Sequence, residues 1–206
     1  GVPSVWVDGS YRGHKVSPGR YQLSLKLGER SVVAEAAVLA NPLYATDAAT
    51  YAEYHDFMSA MERELTLMHE TINNLHRIHG RLNGVLAGLP AGARFAELKR
   101  EGDSLVAKLK AWDADMVSRK TRAYDDTENY PQKFTANYLF LIGQTESDLP
   151  RVNQPSRDRR AELDREWAVL KARSDVLLNQ HVSALNRKLW EAGFGAIHGP
   201  EPRGIP

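Results

Sequence analysis

The fold is decided by residues 54–89, which have the sequence YHDFMSAMERELTLMHETINNLHRIHGRLNGVLAGL. Apolar side chains recur in alternating steps of four and three residues, and His79 is the polar member of the set: Tyr54, Met58, Met61, Leu65, Met68, Ile72, Leu75, His79, Leu82, Leu86 and Leu89. This heptad spacing is typical of a coiled-coil-like seam. It predicts one continuous helix, roughly 60 Å long, with Thr46 or Asp47 as its N-cap and with Gly88 and Pro90 at its end.

Three further helices follow along the chain. The first has a second apolar seam that includes one glycine, which predicts a close helix–helix approach: Phe95, Leu98, Gly102, Leu105, Leu109, Trp112 and Met116. Residues 134–145 form a short helix. The last helix starts near Asn153–Ser156, ends at Gly193 and carries Leu163, Trp167, Leu170, Leu177, His181, Leu185 and Leu189. Short connections then predict a mainly α protein, with an antiparallel four-helix bundle at residues 46–193 and an extended Gly/Pro-rich tail at 194–206.

The first 42 residues have a β pattern instead. Apolar and polar side chains alternate through residues 20–27, as in a half-buried strand, and residues 31–39 return after the tight connection at Gly28-Glu29. Val2–Val7 is a candidate third strand. The fold class is therefore a helical bundle preceded by a small antiparallel β hairpin or sheet.

A hairpin of this size is marginally stable alone in water. Residues 31–39 are almost entirely apolar, which favours burial on both faces. We therefore expect the hairpin to dock near Tyr51 and Tyr54, to form a homodimer through its β edge, or to contact a partner, and we expect Val33→Lys to impair solubility or assembly. The lack of a signal-peptide pattern in residues 1–7 indicates a chain that starts either in the cytoplasm or within a longer protein. The incomplete sheet favours a piece of a longer protein.

Composition excludes several classes of site. The chain has 206 residues, 27 Lys and Arg against 26 Asp and Glu, and a formal net charge of +1. The absence of cysteine excludes thiol catalysis, thiolate metal sites and covalently attached c-type haem. The basic residues between Arg151 and Arg173 alternate with acidic ones, as on a solvated helix face rather than a nucleic-acid site. No apolar run approaches the length of a membrane span.

A few residues are candidate ligands. His79, His181 and Met68 lie on predicted seams and resemble haem axial ligands in type, and His76 with His79 has the spacing of two metal ligands on one helix turn. Packing and hydrogen bonding explain the same residues more simply. Asp125, Asp126 and Glu128 offer oxygen ligands for calcium, but without the spacing of an EF-hand loop. We predict no catalytic residues, no cofactor and no enzymatic activity.

The order of motifs resembles the C-terminal region of bacterial BNR-repeat proteins with a sortilin-like β-propeller, which are often labelled glycosyl hydrolases. The resemblance rests on Pro18–Leu25, the Gly28 turn, Asn41-Pro42 before a long helix, Pro155-Ser156 at the start of the last helix, and Leu185, Asn186 and Leu189 near its end. In that family an Ig-like sheet and a helical bundle follow the propeller.

The resemblance implies that residues 1–42 are an incomplete Ig-like module and that the chain is a non-catalytic accessory or interaction module. It also implies that the protein is exported, and is periplasmic, held at the cell surface or secreted. Its partner would be the propeller of the same protein or another protein. The alternatives are a haem- or metal-binding helical bundle and a non-catalytic part of a hydrolase whose active site lies in another domain.

Overall fold

The computed structural model describes residues 13–120, 126–146 and 150–198. Of these residues, 66% are helical, which confirms a mainly α helical bundle preceded by a small hairpin. The candidate strand at Val2–Val7 and the last eight residues of the predicted tail lie outside the described ranges.

The elements follow one another in the predicted order. Two strands, β1 (Gly19–Leu27) and β2 (Arg30–Val38), pair antiparallel. The helices are α1 (Ala48–Ala87), α2 (Ala93–Met116), the single turn α3 (Asp126–Asn129), α4 (Phe134–Thr145), α5 (Gln154–Val176) and α6 (Ser183–Glu191), with a π-helical segment (Leu177–Val182) between the last two. The path from α5 to α6 is continuous, so these three pieces act as one long helix with a local change of winding.

Helix α1 begins six residues before the heptad. Asp47 is its N-cap, and the Asp47 side chain accepts a hydrogen bond of 2.7 Å from the backbone N–H of Thr50. This bond favours the carboxylate and lowers the pKa of Asp47. The helix ends at Ala87 with Gly88 as its C-cap, two residues before the predicted end at Leu89. One side of α1 is buried along the entire bundle: Tyr54, Met58, Met61, Leu65, Met68, Ile72, Leu75, Ile78, Leu82 and Leu86.

The glycine in the second seam lies where two helices meet closely, as the sequence predicts. Gly102 of α2 is buried, and a Cβ atom built there would collide with the Leu86 side chain of α1. The lack of a side chain lets α2 approach α1, and this contact offsets the helix propensity that glycine loses.

The core continues from α2 into α4 and α5. Trp112 is fully buried, and its Nε1 donates a hydrogen bond of 2.8 Å to the Leu170 carbonyl oxygen. The rings of Phe134 and Trp167 stack at 6.1 Å between centroids. Asn153 caps α5 by accepting a hydrogen bond of 2.8 Å from the Ser156 backbone N–H, within the predicted helix start at Asn153–Ser156. The start of the tail also packs on the bundle, since Ile197 is buried and its N–H donates to Oδ1 of Asn186.

Two seam assignments from the sequence are wrong. Ile78, not His79, is buried in α1, because an apolar neighbour enters the core without the desolvation cost of an imidazole. In the last helix Val182, not His181, is buried. The π-helical winding takes five residues instead of four to return to the core after Leu177, which moves His181 to a half-exposed position.

Candidate interaction surface and the groups at its base

The register of the hairpin separates an apolar face from a polar one. Directly opposite residues of an antiparallel pair point to the same side of the sheet. Tyr21 pairs with Ala36, Leu23 with Ala34 and Leu25 with Val32. We call this side the apolar hairpin face, and it comprises Gly19, Tyr21, Leu23, Leu25, Leu27, Arg30, Val32, Ala34, Ala36 and Val38. Arg30, opposite Leu27 next to the turn, is its one charged residue. The polar hairpin face holds the alternate residues Arg20, Gln22, Ser24, Lys26, Ser31, Val33, Glu35 and Ala37.

The apolar hairpin face is open to solvent. Leu25 is 72% exposed, Leu27 78% and Val32 66%. The expectation that residues 31–39 are buried on both faces is therefore wrong for the part of the chain that the structure describes. The expectation fails because one side of β2 shares its face with polar residues of β1, namely Lys26, Ser24, Gln22 and Arg20. Only the other side of β2 belongs to an apolar surface.

Among the described residues, contact between the hairpin and the bundle is confined to the hairpin base. A cavity of about 280 Å³ there is lined by residues from both parts, among them Val38, Leu39, Tyr51 and Tyr54. The expected docking near Tyr51 and Tyr54 is thus correct for the base and wrong for the outer strands, whose residues are exposed on both sides.

A histidine fixes the segment that leads into β1. The backbone N–H of His14 donates to Oε1 of Glu62 at 2.8 Å, and the His14 Nδ1 lies 2.7 Å from the same oxygen. The Nε2 of His14 lies 2.9 Å from Nδ1 of His55, which extends the chain of hydrogen bonds to a second imidazole. The His14 side chain is only 7% exposed. This Glu62–His14–His55 chain anchors the hairpin to α1 and orients its base.

Sequence reasoning missed the Glu62–His14–His55 chain. His55 and Glu62 are separated by seven residues and so lie on one face of α1, which is a weak signal. The third member, His14, is more than forty residues away in a segment without a recognisable pattern. Only the tertiary structure brings the three together. Near the same base, the Tyr21 hydroxyl donates to the Ser17 carbonyl oxygen at 2.5 Å and closes the turn before β1.

The candidate haem and metal ligands are placed in three different settings. Met68 is fully buried in the apolar core. His79 lies near Lys110 and Asp113 of α2, its Nε2 is 3.1 Å from Nδ2 of Asn83, and burial lowers its pKa. The rings of His76 and His79 are 6.1 Å apart between centroids.

His181, the third candidate, contacts α2 through Lys108, with 3.4 Å between Nε2 and Nζ. Among the candidate calcium ligands, Asp125 lies outside the described residues, Asp126 begins α3 and Glu128 is exposed. Within residues 13–120, 126–146 and 150–198, no cluster of three or more His, Asp or Glu side chains has a geometry that could hold a metal ion.

Two further polar groups, on His69 and Tyr138, are buried in the bundle. The Nε2 of His69 is buried and has no hydrogen-bond partner among the residues that the structure describes, and burial lowers the His69 pKa. Burial, with the nearby Asp164 carboxylate, raises the pKa of Tyr138, whose hydroxyl donates to Oδ1 of Asp164 at 3.1 Å. Both groups are therefore neutral at ordinary pH and belong to the packing of the bundle.

The fold and the surface define a class of architecture, a helical bundle with a projecting apolar hairpin. Comparison with known proteins adds no family: no family model, no curated protein and no solved structure shows significant similarity to the chain. Of the helices in the described part of the chain, none has the length and apolar character needed to cross a bilayer.

Proposed function

We propose that this chain is a non-catalytic accessory module that binds another protein surface through its hairpin. We further propose that it is the C-terminal part of an exported BNR-repeat, sortilin-like propeller protein and that the hairpin packs on that propeller. The observation that carries the interaction role is the exposure of the apolar hairpin face, in contrast to the well-buried bundle.

The apolar hairpin face has the properties of a docking surface. Its large side chains adjoin one another on one side of an antiparallel two-stranded sheet, with Leu25 directly opposite Val32. Complete burial of one such side chain contributes about 1.5–3 kcal/mol. Contiguous exposed apolar patches of this kind are found at interaction sites more often than elsewhere on protein surfaces.

The hairpin also offers main-chain groups to a partner. The sheet formed by the described residues has two strands, so β1 and β2 each have one edge outside the ladder. An unpaired edge presents N–H and C=O groups that can accept an additional strand. A partner with its own sheet can therefore extend the hairpin or cover its apolar face.

The choice of a propeller as partner depends on the sequence resemblance. Pro18–Leu25 forms the turn and the first strand, and Asn41-Pro42 precedes α1 in the same order as in that family. The incomplete sheet supports the same proposal, because a hairpin that ends in solvent requires further protein for its burial.

The test begins with the reading frame upstream of Gly1. We expect it to encode propeller repeats. The propeller and this chain are then produced as two separate polypeptides, and their complex is measured by size-exclusion chromatography with light scattering.

Adjacent valines provide a matched pair of variants. Val32→Lys places a charge on the apolar hairpin face, whereas Val33→Lys places the same charge on the polar hairpin face beside Ser24. We expect Val32→Lys to weaken the complex at least about tenfold, which corresponds to one lost apolar side chain. Val33→Lys should bind as the wild type does, so the sequence-based expectation for Val33 is revised.

Several outcomes would contradict the proposal. A complex that tolerates both lysines would show that the hairpin is not the docking surface. A homodimer of the chain that Val32→Lys dissociates would assign the surface to a second copy. An upstream start codon without propeller repeats would exclude the propeller and leave only the general interaction role to be tested.

A further inference from the structure

A second apolar surface lies far along the chain from the hairpin, between α2 and α5. It is a groove of about 700 Å³ that reaches the π-helical segment at one end. Its wall residues include Ala111 and Trp112 from α2 and Ala168, Val169, Ala172 and Val176 from α5. The volume lies within the range of small-molecule sites in proteins, about 300–1,000 Å³.

Small side chains keep the groove open. Ala168 and Ala172 are one helical turn apart on the same side of α5, and Ala111 lies across from them on α2. Trp112 forms a fixed floor, because its ring is fully buried and its Nε1 is held by the Leu170 carbonyl oxygen. Val169 is 62% exposed, so the wall carries apolar surface that no described residue covers.

The polar groups of the groove are basic. They are Lys108, Arg173 and His181. Lys108 Nζ lies 3.4 Å from the Nε2 of His181, an imidazole nitrogen that carries no negative charge to balance the ammonium group. Arg173 pairs with Asp115 at 2.8 Å, but both side chains are about half exposed, and such surface pairs exchange easily.

We propose that this groove binds the anion of an unbranched fatty acid of medium length. The acyl chain of the fatty acid lies along Ala172 and Val176 above Trp112. Its carboxylate receives a charge-assisted hydrogen bond from Lys108 near His181. Charge complementarity supports this ligand, since an apolar trough with a cationic end matches a molecule that has one apolar chain and one anionic group.

The dimensions favour a single acyl chain over a partner helix. A helix of the same length as the groove wall is 10–12 Å across with its side chains. Twelve residues of such a helix occupy roughly twice the volume of the groove. A hydrocarbon chain is narrower, and a groove of about 700 Å³ is large enough to hold one.

The protein is titrated with dodecanoate, which is kept below its critical micelle concentration. Binding is measured by isothermal titration calorimetry and by tryptophan fluorescence. We expect saturable binding with one ligand per chain, and weaker binding for each shorter fatty acid, because each methylene removed leaves less apolar surface to bury. Dodecanol, which has the same chain and no charge, should bind about tenfold more weakly than dodecanoate.

Two variants locate the ligand. Ala172→Trp fills the groove and should abolish binding, whereas Ala161→Trp, on an exposed part of α5, should not affect it. Lys108→Ala should weaken dodecanoate about tenfold and leave dodecanol unchanged. Lys110→Ala removes another exposed charge of α2, one outside the groove, and is the control for a general electrostatic effect.

Each result bears on the proposal. Because Lys108 and Lys110 are exposed, their variants remain informative even if Ala172→Trp fails to fold, which circular dichroism detects. Binding that is not saturable, or that Ala172→Trp leaves intact, would overturn the site. Equal weakening of dodecanoate and dodecanol by Lys108→Ala would overturn the placement of the carboxylate. Binding of an acidic amphipathic peptide without binding of dodecanoate would assign the groove to a protein partner.

Discussion

The bundle and the hairpin use the same kinds of side chain in opposite ways. In α1 the apolar residues lie almost completely buried against α2 and α4, and the mean exposure of this seam is close to zero. In β1 the leucines alternate just as regularly, and the register places them beside Val32 of β2, but most of the surface of these side chains is exposed. A periodic apolar pattern therefore specifies which side chains share a face, and it does not specify whether this chain supplies what covers that face.

The difference also predicts how energy is distributed. Each core residue of the bundle contacts several helices, so its loss is felt throughout the bundle. The hairpin is joined to α1 through its base, by the Glu62–His14–His55 chain and the residues around Tyr51 and Tyr54. We expect substitutions in the bundle to change the free energy of unfolding, and substitutions in the outer hairpin to change binding.

The largest effect is expected at Trp112. Trp112→Ala removes the largest fully buried side chain and the hydrogen bond to the Leu170 carbonyl oxygen, and it should lower the free energy of unfolding by about 3–5 kcal/mol. Trp190→Ala is the matched control, because Trp190 is 75% exposed, and its effect should stay within about 0.5 kcal/mol. Urea denaturation followed by far-UV circular dichroism measures both. Similar losses for the two variants would contradict the assignment of the core.

A smaller effect is expected at the helix contact around Gly102. Gly102→Ala forces a methyl group into Leu86, which costs about 1–3 kcal/mol, partly offset by the better helix propensity of alanine. Gly84→Ala in α1 meets no atoms within 4 Å and should instead stabilise the protein by about 0.5–1 kcal/mol. Opposite signs for the two variants in thermal denaturation would confirm the close approach. A stabilising Gly102→Ala would contradict it.

Much of the fold follows from local patterns in the sequence. The bounds of α4, the start of α1 at Thr46 or Asp47, the start of α5 near Asn153–Ser156 and the close approach at Gly102 were predictable, because each leaves a signal in a short stretch of sequence. The positions of Ile78 and Val182 were not predictable from spacing. In α1 the heptad spacing favoured His79, but the desolvation cost of an imidazole places Ile78 in the core. In the last helix the four-residue step from Leu177 favoured His181, but the π-helical winding places Val182 there.

The apolar hairpin face was predictable only in part. Alternation in β1 identified an apolar side correctly, but the apolar run of β2 gave no indication that Val32 and Val33 have different roles. That distinction needs the register, which places Leu25 opposite Val32 and Ser24 opposite Val33. The groove beside Trp112 was not predictable either, because its alanines become a wall only when α2 and α5 pack together.

The bundle should also lose stability in acid through His69. Burial lowers the His69 pKa in the folded protein below its ordinary value of about 6.5, and His79 is shifted in the same direction. As the pH falls through about 6.5, the unfolded chain binds protons that the folded one does not, so the free energy of unfolding decreases.

His69→Met tests this pH dependence. It removes both the titration and the buried Nε2 that lacks a partner among the described residues, and it should stabilise the protein by about 1 kcal/mol at neutral pH. The variant's excess in free energy of unfolding over the wild type should grow as the pH is lowered from about 7 to about 5. Urea denaturation at each pH measures this difference. Parallel stability curves for the two proteins would show that His69 titrates alike in the folded and unfolded states.

The smallest effect on the bundle is expected from breaking the hairpin itself. Gly28 has a φ of +61° at the first position of the two-residue turn between β1 and β2, a conformation that costs a side-chain-bearing residue about 1–2 kcal/mol. A lone hairpin is marginally stable, so Gly28→Val should unfold the outer strands. The helical melting temperature should change by no more than about 1–2 °C, because the bundle keeps its core.

Amide hydrogen exchange should become fast in β1 and β2 and remain slow in α1, and the partner complex should be lost. Glu29→Val is the control, since its backbone φ is negative and valine fits there without strain. If Gly28→Val instead lowered the melting temperature of the helices as much as Gly102→Ala does, the hairpin would be part of the stability of the bundle, and its exposed face would need an explanation other than binding.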